Sequence, residues 1–209
     1  VQGMYGKGID GNLTLNIQGG TFIGRVLMGA NGAQTLTGSA YMEIDGGTFR
    51  STVAGGSNNA NAVIKGSSNI YITNGEFNSG VSGSTGAIGV YGGNVSGGGD
   101  IKQGVNMIIE GGTFGTADAK TSVYGGNQSA GSIEGGVDMD ISGGTFNHAV
   151  YGGNDEGGSI TGNVDMTLTG GTFKNFVYGG NAGGGSITGN VNIAVDGADL
   201  TTGQALIAG

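Results

Sequence analysis

The sequence predicts an all-β fold, a single-stranded parallel β-helix (β-solenoid) of about seven turns, each with three short strands and roughly 27 residues when regular. Three observations support this prediction. Gly accounts for 52 of the 209 residues and Pro for none, which disfavours an ordinary helical globule. Apolar residues alternate with period two, as in strands. A Gly-Gly-Thr-Phe motif returns along the whole chain, which we therefore treat as one domain, residues 1–209.

Each repeat opens with a short strand around an aliphatic residue, and the last residue of the motif always follows 13 positions later. The opening residues are Ile9, Leu36, Ile64, Ile101, Ile133, Ile160 and Ile187. The motif is intact at 19–22, 46–49, 111–114, 143–146 and 170–173, and degenerate at 74–77 and 197–200. Because this segment never carries an insertion, corresponding residues of successive turns should stack in columns.

The second strand lies between the opening residue and the motif, where offsets +4, +6 and +8 are apolar, as in Val137, Met139 and Ile141. Only Ser68 departs from this pattern. We expect these residues to face the interior beside a column of aromatic rings. That column comprises Phe22, Phe49, Phe77, Phe114, Phe146 and Phe173.

The third strand has the sequence Val-Tyr-Gly-Gly-Asn at 90–94, 123–127, 150–154 and 177–181. Alternation places the Val residues inside and predicts an exposed aromatic ladder of Tyr91, Tyr124, Tyr151 and Tyr178. Such a ladder offers a surface to sugar rings or to a neighbouring rod, or it only stabilises the corner. The Asn residues of the motif predict amides that hydrogen-bond from turn to turn.

One acidic cluster stands on the outward face of the second strand. Asp138 should lie over Asp165, with Asp140 two residues along the same strand. Three carboxylates at this spacing suit a weakly held Ca²⁺, the one cofactor that we consider; the alternative is a solvated acidic face.

Two insertions interrupt the repeat at the same corner of successive turns, at 78–89 and 115–122. We expect them to lie side by side as one bulge. The bulge is either a binding feature or a tolerated surface loop.

Composition restricts the partners. A net charge of −8 repels nucleic acid and anionic membranes, and no apolar run is long enough to span a bilayer. The absence of Cys excludes disulfides and thiol chemistry.

The strings Val-Tyr-Gly-Gly-Asn, Ser-Ile-Thr-Gly-Asn-Val (159–164 and 186–191) and Gly-Gly-Thr-Phe resemble the Gly-rich β-solenoid repeats of very large surface proteins of gut Gram-positive bacteria, and more loosely autotransporter and adhesin passengers. This resemblance implies a location outside the cell, at the bacterial surface, and an adhesive or scaffolding role without catalysis.

The sequence therefore favours a non-catalytic extracellular rod of structural or adhesive function. The alternative is a glycan-binding or polysaccharide-cleaving β-helix protein of the pectate-lyase-like type. Cleavage is disfavoured because His148 is the only His, and Arg25 and Arg50 belong to early turns, far from the Asp cluster. Ice binding is disfavoured because Glu76 and Asp199 interrupt the aligned Thr column of the motif.

The predicted partners are copies of the same chain stacked head to tail, or flanking turns of a longer chain, with glycans or a host surface as a second kind of partner. Met4-Tyr5 and Leu206-Ile207 occupy the same phase of the turn, so we expect a whole number of turns with an open edge at each end. The chain should be a slice of a longer solenoid or a protomer of a fibre.

Overall fold

The computed structural model describes residues 1–78 and 89–200, and the backbone of 206–207. In this part of the chain it is all-β without any helix, and parallel sheets stack in about seven turns, as the repeat predicts. Among the described residues there is accordingly no helix that could cross a membrane.

Every turn contributes strands to three parallel sheets, which we name A, B and C. Sheet A contains the Val-Tyr segments. Its strands are β1 (Gln2–Met4), β4 (Val26–Ala30), β7 (Val53–Ala54), β10 (Gly89–Tyr91), β14 (Ser122–Tyr124), β18 (Val150–Tyr151), β22 (Val177–Tyr178) and β25 (Leu206–Ile207).

Sheet B contains the short strands that open each repeat. They are β5 (Thr35–Leu36), β8 (Val63–Ile64), β11 (Asp100–Ile101), β15 (Ser132–Glu134), β19 (Ser159–Thr161) and β23 (Ser186–Ile187). Ile9 extends the sheet through an isolated bridge to Leu36.

Sheet C is the widest and contains both the alternating strand and the Thr-Phe end of the motif. Its alternating strands are β2 (Leu13–Ile17), β6 (Ala40–Phe49), β9 (Ser68–Phe77), β12 (Val105–Ile109), β16 (Val137–Ile141), β20 (Val164–Leu168) and β24 (Val191–Val195). Its separate Thr-Phe strands are β3 (Thr21–Phe22), β13 (Thr113–Phe114), β17 (Thr145–Phe146) and β21 (Thr172–Phe173).

The Thr-Phe strand is an element that the sequence did not resolve, because it follows the alternating strand almost without a gap. Where the two are separate strands, the second Gly of the motif divides them by turning the backbone to positive φ, 107° at Gly20 and 96° at Gly144. A residue with a side chain rarely adopts this conformation, so Gly is needed at this corner.

The interior is one continuous apolar core, and the stacking of like residues is its main feature. The six Phe rings of the motif stack with centroid separations between 4.6 and 4.9 Å, as predicted. Ser68, the one polar residue at an interior offset, is fully buried, and its hydroxyl donates a hydrogen bond of 2.8 Å to the carbonyl oxygen of Gly92. The break in the pattern is thus accommodated without an unpaired polar group.

The two insertions differ in how far they can be described. Residues 79–88 lie outside the described residues, so the predicted bulge beside 115–122 stays a prediction. The second insertion is held locally, because the Thr116 amide donates to the Ala119 carbonyl oxygen and the Thr116 hydroxyl accepts from the Ala119 amide.

The facing of the motif gives a paired test of the core. Phe146→Asp places an unpaired charge within the Phe column and should lower the free energy of unfolding by more than about 3 kcal/mol. Thr145→Asp, at the neighbouring half-buried position with the opposite facing, should be far milder. Thermal unfolding followed by circular dichroism measures both, and equal destabilisation would contradict the assigned facing.

Candidate functional sites

The Tyr column does not form the exposed ladder that alternation predicts. Its rings do stack, with centroid separations between 4.8 and 5.0 Å, but Tyr91 is 0% exposed and Tyr124 8% exposed. Tyr151 and Tyr178 are half-buried. The prediction of an exposed face was therefore wrong for the first two rings and only partly met for the others.

The reason is that the outer face of sheet A is itself covered. Leu27, Ala54, Tyr91 and Tyr124 form a second apolar cluster that includes Val95, which lies beyond the strand that carries Tyr91. Sheet A is thus apolar on both faces, and period-two alternation cannot distinguish a strand that faces solvent from one that supports a second cluster.

Asp155 provides a polar contact for two Tyr residues of this cluster. It is buried, and one of its carboxylate oxygens accepts a hydrogen bond of 3.1 Å from the Tyr91 hydroxyl. Burial raises the pKa of Asp155, an effect that hydrogen bonds from Tyr91 and Tyr124 oppose and the nearby Glu156 reinforces. Burial also raises the pKa of Tyr91 and Tyr124, so both hydroxyls stay protonated donors at neutral pH.

The Asn column forms the amide ladder that the sequence predicts. The side-chain oxygen of Asn127 accepts from both the backbone and the side-chain nitrogen of Asn94, at 2.9 and 3.0 Å. Asn127 in turn donates both groups to Asn154, and Asn154 donates both to Asn181. These contacts give the Asn residues a structural role that leaves their side-chain oxygens occupied.

The Asp cluster has the register that the repeat predicts. Asp138 pairs with Asp165 across adjacent strands, whereas Asp140 pairs with Thr167. Partial burial and the charges of Asp140 and Asp165 raise the pKa of Asp138. The Asp165 carboxylate also accepts a hydrogen bond of 2.6 Å from Asn192. Within 1–78 and 89–200, no group of three or more His, Cys, Asp or Glu residues is arranged to hold a metal ion, and the Ca²⁺ site stays a prediction.

A shallow groove on the outward face of sheet C is a candidate site that sequence reasoning missed. It spans the first four turns and encloses about 270 Å³. Its exposed apolar side chains are Tyr41 and Ile108, 42% and 41% exposed, and Tyr71 lies between them. Its polar lining comprises Thr14, Asn16, Glu43, Asn69 and Asn106. The outward offsets +5 and +7 carried this signal, because aromatic and large aliphatic residues occur there only in turns two to four.

The Thr column of the motif is aligned but interrupted. Thr21 pairs with Thr48, and Thr113, Thr145 and Thr172 continue the column. Glu76 separates the two runs.

The ring of His148 has its Nε2 atom 3.0 Å from the carbonyl oxygen of Thr116.

Comparisons of the chain with protein-family profiles, with curated proteins and with solved structures found no match.

The buried Asp155 predicts a specific pH dependence. Because its pKa is raised on folding, the folded chain holds the proton over a pH window in which the unfolded chain has released it. The free energy of unfolding should therefore fall as the pH rises through this window. Asp155→Asn keeps an acceptor for Tyr91 without the charge. The melting temperature of this variant relative to the natural chain should therefore rise as the pH increases from the ordinary Asp pKa of about 4 through the raised pKa of the folded chain.

The control is Asp10→Asn, which removes one exposed carboxylate elsewhere. A melting-temperature difference for Asp155→Asn that does not change with pH would contradict the electrostatic role of this residue.

For the Asp cluster we predict at most one Ca²⁺ of low affinity. Millimolar Ca²⁺ should raise the melting temperature of the natural chain by a few degrees, because an ion that binds only the folded state stabilises it. Asp138→Asn should abolish the rise, and Asp10→Asn should keep it. Titration calorimetry that detects no heat, together with a melting temperature that chelator does not change, would remove the prediction.

Proposed function

We propose that the chain is a non-catalytic structural and adhesive rod at the bacterial cell surface, whose β-solenoid continues end to end into a fibre or into further turns of a longer chain. The observation that carries this proposal is the state of the two ends of the described rod. Within residues 1–78, 89–200 and 206–207, sheets A and C each finish at both ends with a strand that has a partner on one side only, and sheet B finishes in the same way at Ile9 and β23.

The open strands leave apolar columns partly exposed. In sheet C, Leu13 and Leu15 at one end and Val191 and Ile193 at the other are only half-buried. Val195 is 39% exposed, whereas Leu168, which occupies the same column one turn earlier, is 0% exposed. Each end therefore presents apolar surface that a further turn would cover.

The two ends also match each other residue by residue. Strand β24 has the inward sequence Val191, Ile193, Val195, and β2 has Leu13, Leu15, Ile17 at the same offsets of the repeat. A second copy placed one turn beyond β24 would add a parallel strand in unchanged register, at a spacing of about 4.8 Å. Such a contact joins unlike ends without closing a ring, so it extends into a filament.

The adhesive part of the proposal and the location at the cell surface rest on the resemblance of the repeats to surface solenoids. A rod in which nearly every side chain column serves stacking suits a spacer that presents surfaces along its wall. Catalysis forms no part of the proposal.

The experiment for end-to-end stacking uses a charge that is tolerated only at a free end. Ile193→Lys leaves the ammonium group near solvent in a single rod but buries it in a stacked one, so it should prevent filaments. Leu15→Lys should do the same from the opposite end. Asn192→Lys, on the outward face of the same strand, is the matched control and should leave filaments intact.

Electron microscopy and sedimentation of the 209-residue chain give the readout. Filaments that Ile193→Lys and Leu15→Lys abolish and Asn192→Lys keeps are the expected result. Melting temperatures of the variants identify any loss of folding. A natural chain that stays monomeric at high concentration would overturn the fibre, and filaments that persist in both end variants would overturn the proposed contact.

A further inference from the structure

We propose that the groove on the outward face of sheet C is a binding site for an uncharged oligosaccharide. This inference deepens the adhesive part of the proposed function and rests on it. It does not depend on end-to-end stacking, because the groove lies on the wall of the rod and none of its lining residues belongs to the last three turns.

The apolar part of the groove suits the carbon face of a sugar ring. Tyr41 pairs with Asn69 and Glu43 with Tyr71, so the two Tyr residues lie diagonally across adjacent turns. Strand geometry separates their Cα atoms by roughly 8 Å. Ile108 pairs with Tyr71 from the strand on the opposite side to Glu43, and it extends the apolar surface into the fourth turn. A Tyr side chain combines an apolar ring with a polar hydroxyl group. The ring can stack on the carbon face of a sugar while the hydroxyl group forms a hydrogen bond at the edge of the sugar.

The Tyr71 ring is held in place. Its hydroxyl donates a hydrogen bond of 2.6 Å to the carboxylate of Glu110, and this bond is the main cause that raises the pKa of Tyr71. The strand that carries Tyr71 is anchored in the core, because the neighbouring Ile70 and Ile72 are buried. A ring fixed on a rigid strand loses little further freedom when a ligand stacks on it.

The polar lining supplies hydrogen-bond groups at the side of the apolar surface. The Asn106 side chain donates a hydrogen bond of 2.8 Å to the side-chain oxygen of Asn69, and the Asn69 nitrogen donates to the carbonyl oxygen of Ala40 at 3.0 Å. These bonds fix both amides at the edge of the groove. Amides donate to and accept from hydroxyl groups, and carboxylates accept from them, which fixes the orientation of a ligand.

The charge of the groove selects against acidic ligands. Its lining includes the carboxylate of Glu43 and contains neither Lys nor Arg, and Glu110 and Asp45 stand close enough to Tyr71 to raise its pKa. A chain of uronic acids would place like charges together, whereas a neutral sugar donates its hydroxyls to these carboxylates. The volume of about 270 Å³ is just below the range of about 300–1,000 Å³ for small-molecule sites, so the groove would take a short segment of a chain.

The test uses defined hexasaccharides. The neutral probes are β-1,4-linked hexamers of glucose, mannose, xylose and N-acetylglucosamine, and the acidic probe is hexagalacturonate. Binding is measured by titration calorimetry and by saturation-transfer NMR, which reports which sugar protons touch the protein. We expect at least one neutral probe to bind with a dissociation constant at or below about 1 mM, and the acidic probe to bind at least tenfold more weakly.

Variants assign the binding to the groove. Tyr41→Ala and Tyr71→Ala should each weaken it about fivefold or more. Tyr5→Ala removes an almost fully exposed Tyr outside the groove and should leave the affinity for the sugar unchanged. Glu43→Gln should reduce the difference in affinity between the neutral probes and the acidic probe. Circular dichroism confirms that each variant is folded, and because both Tyr positions face outward, their loss leaves the core intact.

Four results would overturn the proposal. The first is the absence of binding by all neutral probes at millimolar concentration, and the second is binding that both groove variants leave unchanged. The third is a preference for hexagalacturonate, and the fourth is side-by-side pairing of rods that Tyr41→Ala abolishes, which would make the groove a contact between copies. Filaments that form normally alongside a negative result here would leave the stacking proposal standing.

Discussion

Everything in this fold depends on one constraint, the stacking of each turn on the next at the spacing of a parallel sheet. Hydrogen bonds of the three sheets fix that spacing, and the Phe rings at 4.6 to 4.9 Å and the Tyr rings at 4.8 to 5.0 Å adopt the same spacing. A column of identical planar groups is compatible with this distance, whereas alternating large and small residues would leave gaps. The repeat in the sequence is therefore a packing requirement, and Gly is frequent because backbones approach closely at the corners. At Gly125, for example, an added Cβ would collide with the carbonyl oxygen of Gly152 in the next turn.

The part of the structure that follows from this constraint could be predicted from the sequence. The fold class, the Phe column and the pairing of Asp138 with Asp165 depend only on the offset within a repeat, and the Asn ladder depends on the position within the Val-Tyr-Gly-Gly-Asn string. An offset is preserved whenever no residue is inserted, so these features needed no knowledge of distant contacts. The separate Thr-Phe strand was missed because a single Gly divides two ladders that run through the same apolar pattern.

The features that could not be predicted depend on contacts that differ between turns. Tyr91 occupies the same place in the Val-Tyr-Gly-Gly-Asn string as Tyr178. Tyr91 is nevertheless fully buried and Tyr178 only half-buried, because Val95 and Asp155 help to cover Tyr91. The groove depends on Tyr41, Tyr71 and Ile108 lying together, which is a property of three particular turns. An argument from the repeat treats all turns as equivalent and therefore misses these differences between turns. Binding sites on a solenoid depend on such differences. Function is accordingly harder to predict for this chain than fold.

The Asn ladder has a direction. Three successive amides donate toward the following turn, from Asn94 to Asn127, from Asn127 to Asn154 and from Asn154 to Asn181. The dipoles of these groups point the same way and polarise one another, so the column behaves as a vector along the rod axis. Two rods that met with like ends would set opposing vectors against each other, whereas unlike ends would add them. The stacked amides thus give the rod a dipole along its axis, and this dipole distinguishes its two ends even where their shapes are alike.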